Sequence, residues 1–155
     1  MKKKFDIPAY EKLVEMENCR KIVFSEANYF KLLRYRTSLG KQLSYNRKED
    51  YYSIIEKYLN KNLTLLEFRT QFLNLERADM EKGYTILGNR QELEVFYLSE
   101  DSEKYYMLLG RIIDLCEDYY VIEPMPENEF IEFMLNNRRE QKNKAPQNSP
   151  NDYSI

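Results

Sequence analysis

The alternation of apolar and polar positions is most regular between Leu63 and Leu87, where the chain reads LTLLEFRTQFLNLERADMEKGYTIL. At about 100° per residue, two apolar lines follow this segment. The first contains Leu66, Leu73, Met80, Tyr84 and Leu87, and the second contains Leu65, Phe68, Phe72 and Leu75. Because both lines need a packing partner, the pattern predicts an inner helix in a bundle of at least three helices. Thr64 and Glu67 predict a capping box at its start, and Gly88 predicts its end.

Shorter helical patterns precede this segment. Pro8 predicts the first turn of a helix over about residues 9 to 18. Ser25 predicts the N-cap of a second helix that ends at Gly40. Residues 47 to 60 predict a third helix, and the short turn after it should pack that helix on the central one as an antiparallel hairpin.

The second half of the chain predicts three more helical pieces. QELEVFYL, after Gly88, predicts a short helix to Val95 or Phe96 followed by a loop, because it has no hairpin partner. Ser99 and Ser102 are N-cap candidates for a long helix within SEKYYMLLGRIIDLCEDYY. After the break at EPMP, ENEFIEFMLNNRRE predicts a final helix.

Few breakers interrupt these patterns. Four Gly and five Pro are too few for a loop-rich sandwich or barrel. The prediction is therefore an all-α, antiparallel bundle of four to six helices in a single domain over residues 1 to 139. Within it, residues 1 to 8 are expected to be frayed, residues 9 to 50 to form basic, Tyr-rich helices, and residues 51 to 139 to form the rest of the bundle. The polar composition of residues 140 to 155 predicts a disordered tail.

The net charge of −2 conceals a strong asymmetry along the chain. Residues 1 to 50 hold twelve Lys and Arg against seven Asp and Glu, and residues 51 to 137 hold eight against seventeen. Residues 92 to 132 contain twelve Asp and Glu residues but only two cationic residues, Lys104 and Arg111. The sequence therefore predicts an electrostatic dipole, with one basic and one acidic surface.

Several function classes are excluded by what the sequence lacks. Histidine is absent, which removes the usual general base and the commonest metal ligand. No Gly-rich phosphate loop, CxxC pair or nucleophile elbow occurs. Cys19 and Cys116 have no redox or metal spacing, and Cys116 is expected to be a small buried hydrophobe. We therefore predict a binding protein that is not an enzyme and has no metal or cofactor.

No apolar run is long enough for a membrane span, and the N-terminus lacks the apolar core of a secretory signal.

Two surface features remain as candidates for binding. The segment FKLLRYRTSLGKQLSYNRK interleaves cations with tyrosines, which could grip a nucleic-acid backbone and stack on bases. A solvated amphipathic helix with tyrosines at the core edge explains the same pattern. The residues of this candidate nucleic-acid surface are Lys31, Arg34, Tyr35, Arg36 and Lys41. The second feature is the acidic stretch, which could present a negative face to a basic partner or could simply be solvated.

The order of segments in the second half of the chain resembles a known family. YLNKNLTLLEFRTQFLNL, QELEVFYLSEDSEKY, LLGRIIDLCEDYY and MPENEFIEFM follow one another as in the colicin D-type, self-protective immunity proteins and related uncharacterised plastid and bacterial proteins. The matching features are the EFxxxF pattern that ends at Phe72, the pair Cys116 and Glu117 at the end of an apolar helix, and the MxExEF pattern over residues 125 to 130. The similarity covers about residues 51 to 136.

The resemblance implies a small helical inhibitor that binds a basic, tRNA-cleaving toxin domain and blocks its active site with acidic side chains. Glu117 lies in a matching motif, and the other candidates follow from charge and helix face. The predicted partner-binding residues are Asp114, Glu117, Asp118, Glu123, Glu127 and Glu129. The alternatives are an RNA- or ribosome-associated accessory protein that uses the basic segment, and an unrelated structural partnership. The expected compartment is the cytoplasm, or the plastid stroma if an organelle genome encodes the chain.

Overall fold

The computed structural model describes residues 1–23, 26–118 and 127–144, and the described chain is almost entirely helical. The elements in order are β1 (Lys2–Lys4), α1 (Ile7–Asn18), α2 (Ala27–Asn46), α3 (Lys48–Leu59), α4 (Leu65–Leu87), α5 (Arg90–Val95), β2 (Tyr97–Ser99), α6 (Glu100–Asp118) and α7 (Glu127–Lys144). The predicted all-α class is confirmed. The described residues hold seven helices where a bundle of four to six was predicted, and the short helix predicted after Gly88 is present as the six-residue α5.

Helix α4 is the inner helix that the pattern predicted, in contact with α2, α3 and α6. The predicted capping box is present: the Thr64 hydroxyl accepts from the Glu67 backbone N–H, and the Glu67 carboxylate accepts from the Thr64 backbone N–H. Two positions of the predicted apolar lines are wrong, because Leu66 is 59% exposed and Tyr84 is 51% exposed.

The second half of α4 instead buries Asp79 and Gly83, and the reason is a close helix crossing. A Cβ atom on Gly83 would lie 2.7 Å from the backbone nitrogen of Gly40 in α2. Helices α2 and α4 therefore meet backbone to backbone at these two glycines, where an apolar line has no room. Gly40 lies within this crossing as a helical residue. Helix α2 therefore continues to Asn46 and does not end at Gly40 as predicted.

The main hydrophobic core lies between α3, α4, α6 and α7. Tyr58 stacks on Phe68 with ring centroids 4.8 Å apart, and Tyr51 meets Phe72 edge-on at 5.4 Å. These contacts pair the end of α3 with the start of α4, so the predicted antiparallel hairpin is confirmed. Further buried members of this core are Ile55, Leu109, Ile112, Cys116, Phe130 and Met134.

A second, smaller core includes the N-terminus, which corrects the expectation that residues 1 to 8 are frayed. Strand β1 pairs antiparallel with β2, with Lys3 opposite Leu98. Phe5 and Ile7 are buried against Leu39, and Ile86 and Leu93 complete this cluster. This pairing joins segments more than ninety residues apart, so local sequence patterns could not predict it. Because of the same pairing, the segment after α5 is a short strand and not the predicted loop.

Other boundaries differ by a few residues. Helix α1 begins at Ile7 and not at residue 9, because the Asp6 carboxylate caps it by accepting from the Ala9 backbone N–H. Helix α7 runs to Lys144, into the stretch expected to be a disordered tail, and the remainder of that stretch lies outside the described residues. The proposed N-cap Ser25 lies outside them as well. Among the described helices, none has the length and apolar character needed to cross a membrane.

Candidate functional site

The candidate site is the surface where α4 and α6 pack side by side, which carries carboxylates from both helices. Two cross-helix hydrogen bonds fix this surface. The Arg69 guanidinium donates from Nε to the Cys116 carbonyl oxygen at 2.8 Å, and the Tyr106 hydroxyl donates to Glu76 Oε1 at 2.9 Å. Because position 69 pairs with position 116 and position 76 with position 106, the two helices run antiparallel along this surface.

Glu76 is half-buried, and its ionisation is coupled to that of its neighbours. Burial raises the pKa of the Glu76 carboxyl, the hydrogen bond from Tyr106 opposes that rise, and the negative charge of Glu117 adds to it. The pKa of Tyr106 is raised mainly by burial and then by the charges of Glu76, Glu117 and Asp114. Three carboxylates from two helices therefore share one electrostatic environment around the Tyr106 hydroxyl, which we call the acidic cleft.

Gly110 leaves space in the middle of this cleft. It lies one helical turn after Tyr106 and one turn before Asp114, so helical periodicity puts the three on neighbouring positions of one face. A Cβ atom added at Gly110 would meet no other heavy atom within 4 Å. The surface beside these carboxylates is therefore open at Gly110, where a partner's side chain could approach.

Arg69 holds the C-terminal end of α6 in position. Its side chain is buried although it is charged, and both its Nε and Nη2 atoms donate to the Cys116 carbonyl oxygen. The last carbonyl groups of a helix have no intrahelical partner, so this bond satisfies one of them and orients the adjacent Glu117. The Cys116 thiol is buried, as predicted, and burial raises its pKa to about 12, so the thiol stays protonated and unreactive at neutral pH.

The predicted acidic residues divide into three groups. Asp114 and Glu117 are exposed on α6 and belong to the acidic cleft. The side chain of Asp118 and the whole of Glu123 lie outside the described residues. Glu127 and Glu129 are exposed in the first turn of α7.

Glu127 belongs to a separate place in the fold. Its Oε1 accepts a 3.1 Å hydrogen bond from the Tyr58 hydroxyl. Together with Lys61 and Glu67 it lines a cavity of about 480 Å³ at the turn between α3 and α4. The structure thus ties Glu127 to the α3–α4 hairpin, while Asp114 and Glu117 are grouped with Glu76.

Three of the five residues of the predicted nucleic-acid surface, Lys31, Arg34 and Tyr35, line one groove, whereas Arg36 and Lys41 are paired with carboxylates. Arg36 Nη1 donates to Glu17 Oε1 at 3.0 Å, and this contact lowers the pKa of the Glu17 carboxyl. Lys41 lies 3.1 Å from Glu103 and 5.4 Å from the centroid of the Tyr106 ring.

Tyr35 is half-buried in an aromatic cluster. Its ring lies 5.4 Å from Phe5 and 6.1 Å from Tyr10, measured between centroids. Burial accordingly raises the pKa of the Tyr35 hydroxyl. Lys31 and Arg34 are exposed and line a groove between α1 and α2.

Sequence reasoning missed Arg69 and Glu76. Both are ionisable residues of α4 that directly follow positions of the second apolar line, Phe68 and Leu75. That placement is the available signal, because a charged residue beside a buried line must be paired or desolvated. Their partners on α6 could not be named without the register of the two helices.

No protein-family model matches this chain, no curated protein matches it, and no solved structure matches it. The resemblance to colicin D-type immunity proteins therefore stays a prediction.

Proposed function

We propose that the protein is a non-catalytic inhibitor that places its acidic cleft against the cationic active-site groove of a nuclease-type toxin domain. The single observation that supports this most is the grouping of Glu76, Asp114 and Glu117 around Tyr106, beside the space at Gly110. The resemblance to immunity proteins implies the same type of partner.

The charge of the cleft suits such a partner. A nuclease groove is lined with Lys and Arg to hold phosphates, and a carboxylate can occupy a phosphate position. Asp114 and Glu117 are exposed, so their field speeds the encounter with a cationic surface. Glu76 is already half-buried, and a guanidinium or ammonium group brought to it would stabilise its charged form.

The cleft is held in shape by contacts that do not involve a partner. The Arg69 bond to Cys116 and the Tyr106 bond to Glu76 tie α4 to α6. Binding to a preformed surface loses less conformational freedom than binding by an unordered segment. A rigid acidic scaffold of this kind fits an inhibitor that competes with RNA.

The test is capture of the partner from the native source followed by an RNA-cleavage assay. The wild-type chain, the cleft variant Asp114→Lys/Glu117→Lys and the control variant Glu15→Lys/Glu81→Lys are immobilised, and bound proteins are identified by mass spectrometry. The control changes the net charge equally at exposed sites on α1 and α4. We expect the wild type and the control to capture a basic nuclease and to inhibit its cleavage of tRNA, and the cleft variant to do neither. Equal capture and inhibition by all three chains, or no inhibition of any captured protein, overturns the proposal.

A further inference from the structure

A second surface lies between α1 and α2, where a groove of about 730 Å³ opens to solvent and is bounded at one side by β2 and α6. Three cations line it: Lys12 from α1, and Lys31 and Arg34 from α2. Asn28 and Ser38 add an amide and a hydroxyl. The groove is separate from the acidic cleft, and it does not depend on the function proposed above.

The three cations have no acidic partner within residues 1–23, 26–118 and 127–144. Neighbouring cations on the same helix do, since Arg36 binds Glu17 and Lys41 binds Glu103. Glu103 itself lines the groove, but its charge is offset by Lys41 at 3.1 Å. The groove therefore keeps an uncompensated positive charge, whereas the rest of α2 is neutralised.

Strand β1 adds a further cation at the edge of the groove. Lys3 is in register with Leu98 of β2, and side chains of opposite residues in an antiparallel pair lie on the same face. Leu98 lines the groove, so the Lys3 side chain starts on the groove side of the ribbon. Lys3 is exposed, so its charge adds to the positive potential beside the groove.

The shape of the groove suits a chain of phosphates better than a single one. From Asn28 to Ser38, α2 rises by about 15 Å at about 1.5 Å per residue. At about 3.4 Å per stacked nucleotide, that length corresponds to about four nucleotides. Phe30 lies outside the groove lining but one turn before Arg34, and it is 49% exposed. Its ring meets Tyr29 edge-on at 5.4 Å, so its exposed part can stack on a base. Asn28 and Ser38 supply groups that can hydrogen-bond to ribose hydroxyls.

We propose that this groove binds single-stranded RNA, with Lys12, Lys31 and Arg34 on successive phosphates and Phe30 against a base. This assignment differs from the surface expected from the sequence. Arg36 and Lys41 are engaged in ion pairs, and Tyr35 lines the groove but packs against Phe5. Lys12, which also lines the groove, and the nearby exposed Phe30 are added to the RNA-binding surface.

The test measures binding of a fluorescent eight-nucleotide RNA to the full chain by anisotropy, from low to high salt. We compare the wild type with the groove variant Lys12→Gln/Lys31→Gln/Arg34→Gln and with the control Lys57→Gln/Lys82→Gln/Lys104→Gln, which removes three exposed charges elsewhere. Circular dichroism confirms that each variant is folded. For the wild type and the control we expect the same salt-dependent binding. For the groove variant we expect the slope of log K against log salt concentration to be smaller by about two. Its affinity at low salt should be at least about tenfold lower than that of the wild type.

A second variant, Phe30→Ala, separates stacking from charge. We expect it to weaken RNA binding without changing the salt slope, because it removes no charge. Equal losses in the groove variant and the control would overturn the proposal, since the groove would then have no special role. Saturable binding of ATP or inorganic phosphate with no binding of the RNA would also overturn it, in favour of a small phosphate ligand. Tighter binding of a matched single-stranded DNA than of the RNA would overturn the choice of RNA.

Discussion

The Tyr51 hydroxyl donates a 2.6 Å hydrogen bond to Asp79 Oδ2 in the interior of the bundle. The same carboxylate accepts from the Ser44 hydroxyl at 3.3 Å and from Arg47 Nη1 at 3.0 Å. Asp79 is only 1% exposed. These four residues join α4 to α3, to α2 and to the junction between α2 and α3. A buried carboxylate is stable only when it is paired and hydrogen-bonded, so this network fixes the relative position of the three helices.

Replacing Asp79 with Leu should destabilise the protein strongly. The substitution removes the acceptor of the 2.6 Å bond from the Tyr51 hydroxyl, leaving it only the longer 3.2 Å contact with the Ser44 hydroxyl, and takes away the buried partner of Arg47. Loss of such a buried hydrogen bond costs about 1–3 kcal/mol. Urea denaturation followed by circular dichroism measures the change in the free energy of unfolding. Asp50→Asn is the matched control, because Asp50 contacts Arg47 at the surface and such pairs contribute about 0–1 kcal/mol. Equal effects of the two substitutions would contradict a structural role for the buried network.

Tyr105 should respond to the loss of its hydroxyl in the opposite way from Tyr51. Its hydroxyl is buried and has no hydrogen-bond partner in the described part of the chain. Tyr105→Phe is therefore expected to leave the stability unchanged or to raise it by about 1 kcal/mol, whereas Tyr51→Phe lowers it. Thermal and urea unfolding of the two variants check this, and a destabilised Tyr105→Phe would mean that the hydroxyl has an acceptor.

The same tyrosines predict loss of stability at alkaline pH. Burial raises the pKa of Tyr51, Tyr105 and Tyr106 above the ordinary value of 10.0. The folded chain then keeps protons that the unfolded chain releases, so the free energy of unfolding falls as the pH rises above about 10. Tyr105→Phe should make that fall less steep in urea titrations at a series of alkaline pH values. An unchanged pH dependence in that variant would show that Tyr105 does not take part.

Two glycines should tolerate alanine very differently. Gly83→Ala places a Cβ atom 2.7 Å from the Gly40 backbone nitrogen, so α2 and α4 must move apart. Gly110→Ala meets open space and gains the better helix propensity of alanine, by about 1 kcal/mol. We expect a lower melting temperature for the first variant and an equal or higher one for the second. The reverse order would place the close helix crossing elsewhere.

The pKa of Glu76 gives the acidic cleft a pH dependence. Burial raises that pKa above the ordinary 4.5, so the folded chain holds its proton at pH values where the unfolded chain has lost it. Stability therefore falls as the pH rises from 4.5 through the raised value, and Glu76→Gln should remove this part of the fall. A basic partner favours the charged form, so partner binding should become tighter over the same pH range and release a proton. Titration calorimetry in buffers of different ionisation enthalpy counts that proton.

The helices could be predicted from local sequence signals, but the way in which they pack against one another could not. The capping box at Thr64 and Glu67 and the apolar positions Phe68 and Phe72 marked α4, because burial of one face depends only on helical spacing. Gly40 contacts Gly83, and Asp79 is buried, because α2 and α4 cross closely. The apolar periodicity of a single helix does not indicate where it crosses another. Pairing of β1 with β2 is also a long-range relation.

The candidate sites show the same division. Exposure of Asp114 and Glu117 followed from the helix face, but the addition of Glu76 needed the register of α4 against α6. For the basic segment, composition identified the cations of α2. It did not show which cations are neutralised, because Glu17 and Glu103 come from other helices.

The affinity of the captured nuclease domain for the cleft variant tests the central claim most directly. Isothermal titration calorimetry compares the wild type, Asp114→Lys/Glu117→Lys and the control Glu15→Lys/Glu81→Lys at two salt concentrations. Loss of a desolvated charge pair at an interface costs about 2–5 kcal/mol. We predict that the cleft variant binds at least about a hundredfold more weakly while the control is unchanged, and that the wild-type affinity falls with salt. A cleft variant that binds as tightly as the wild type would contradict the account.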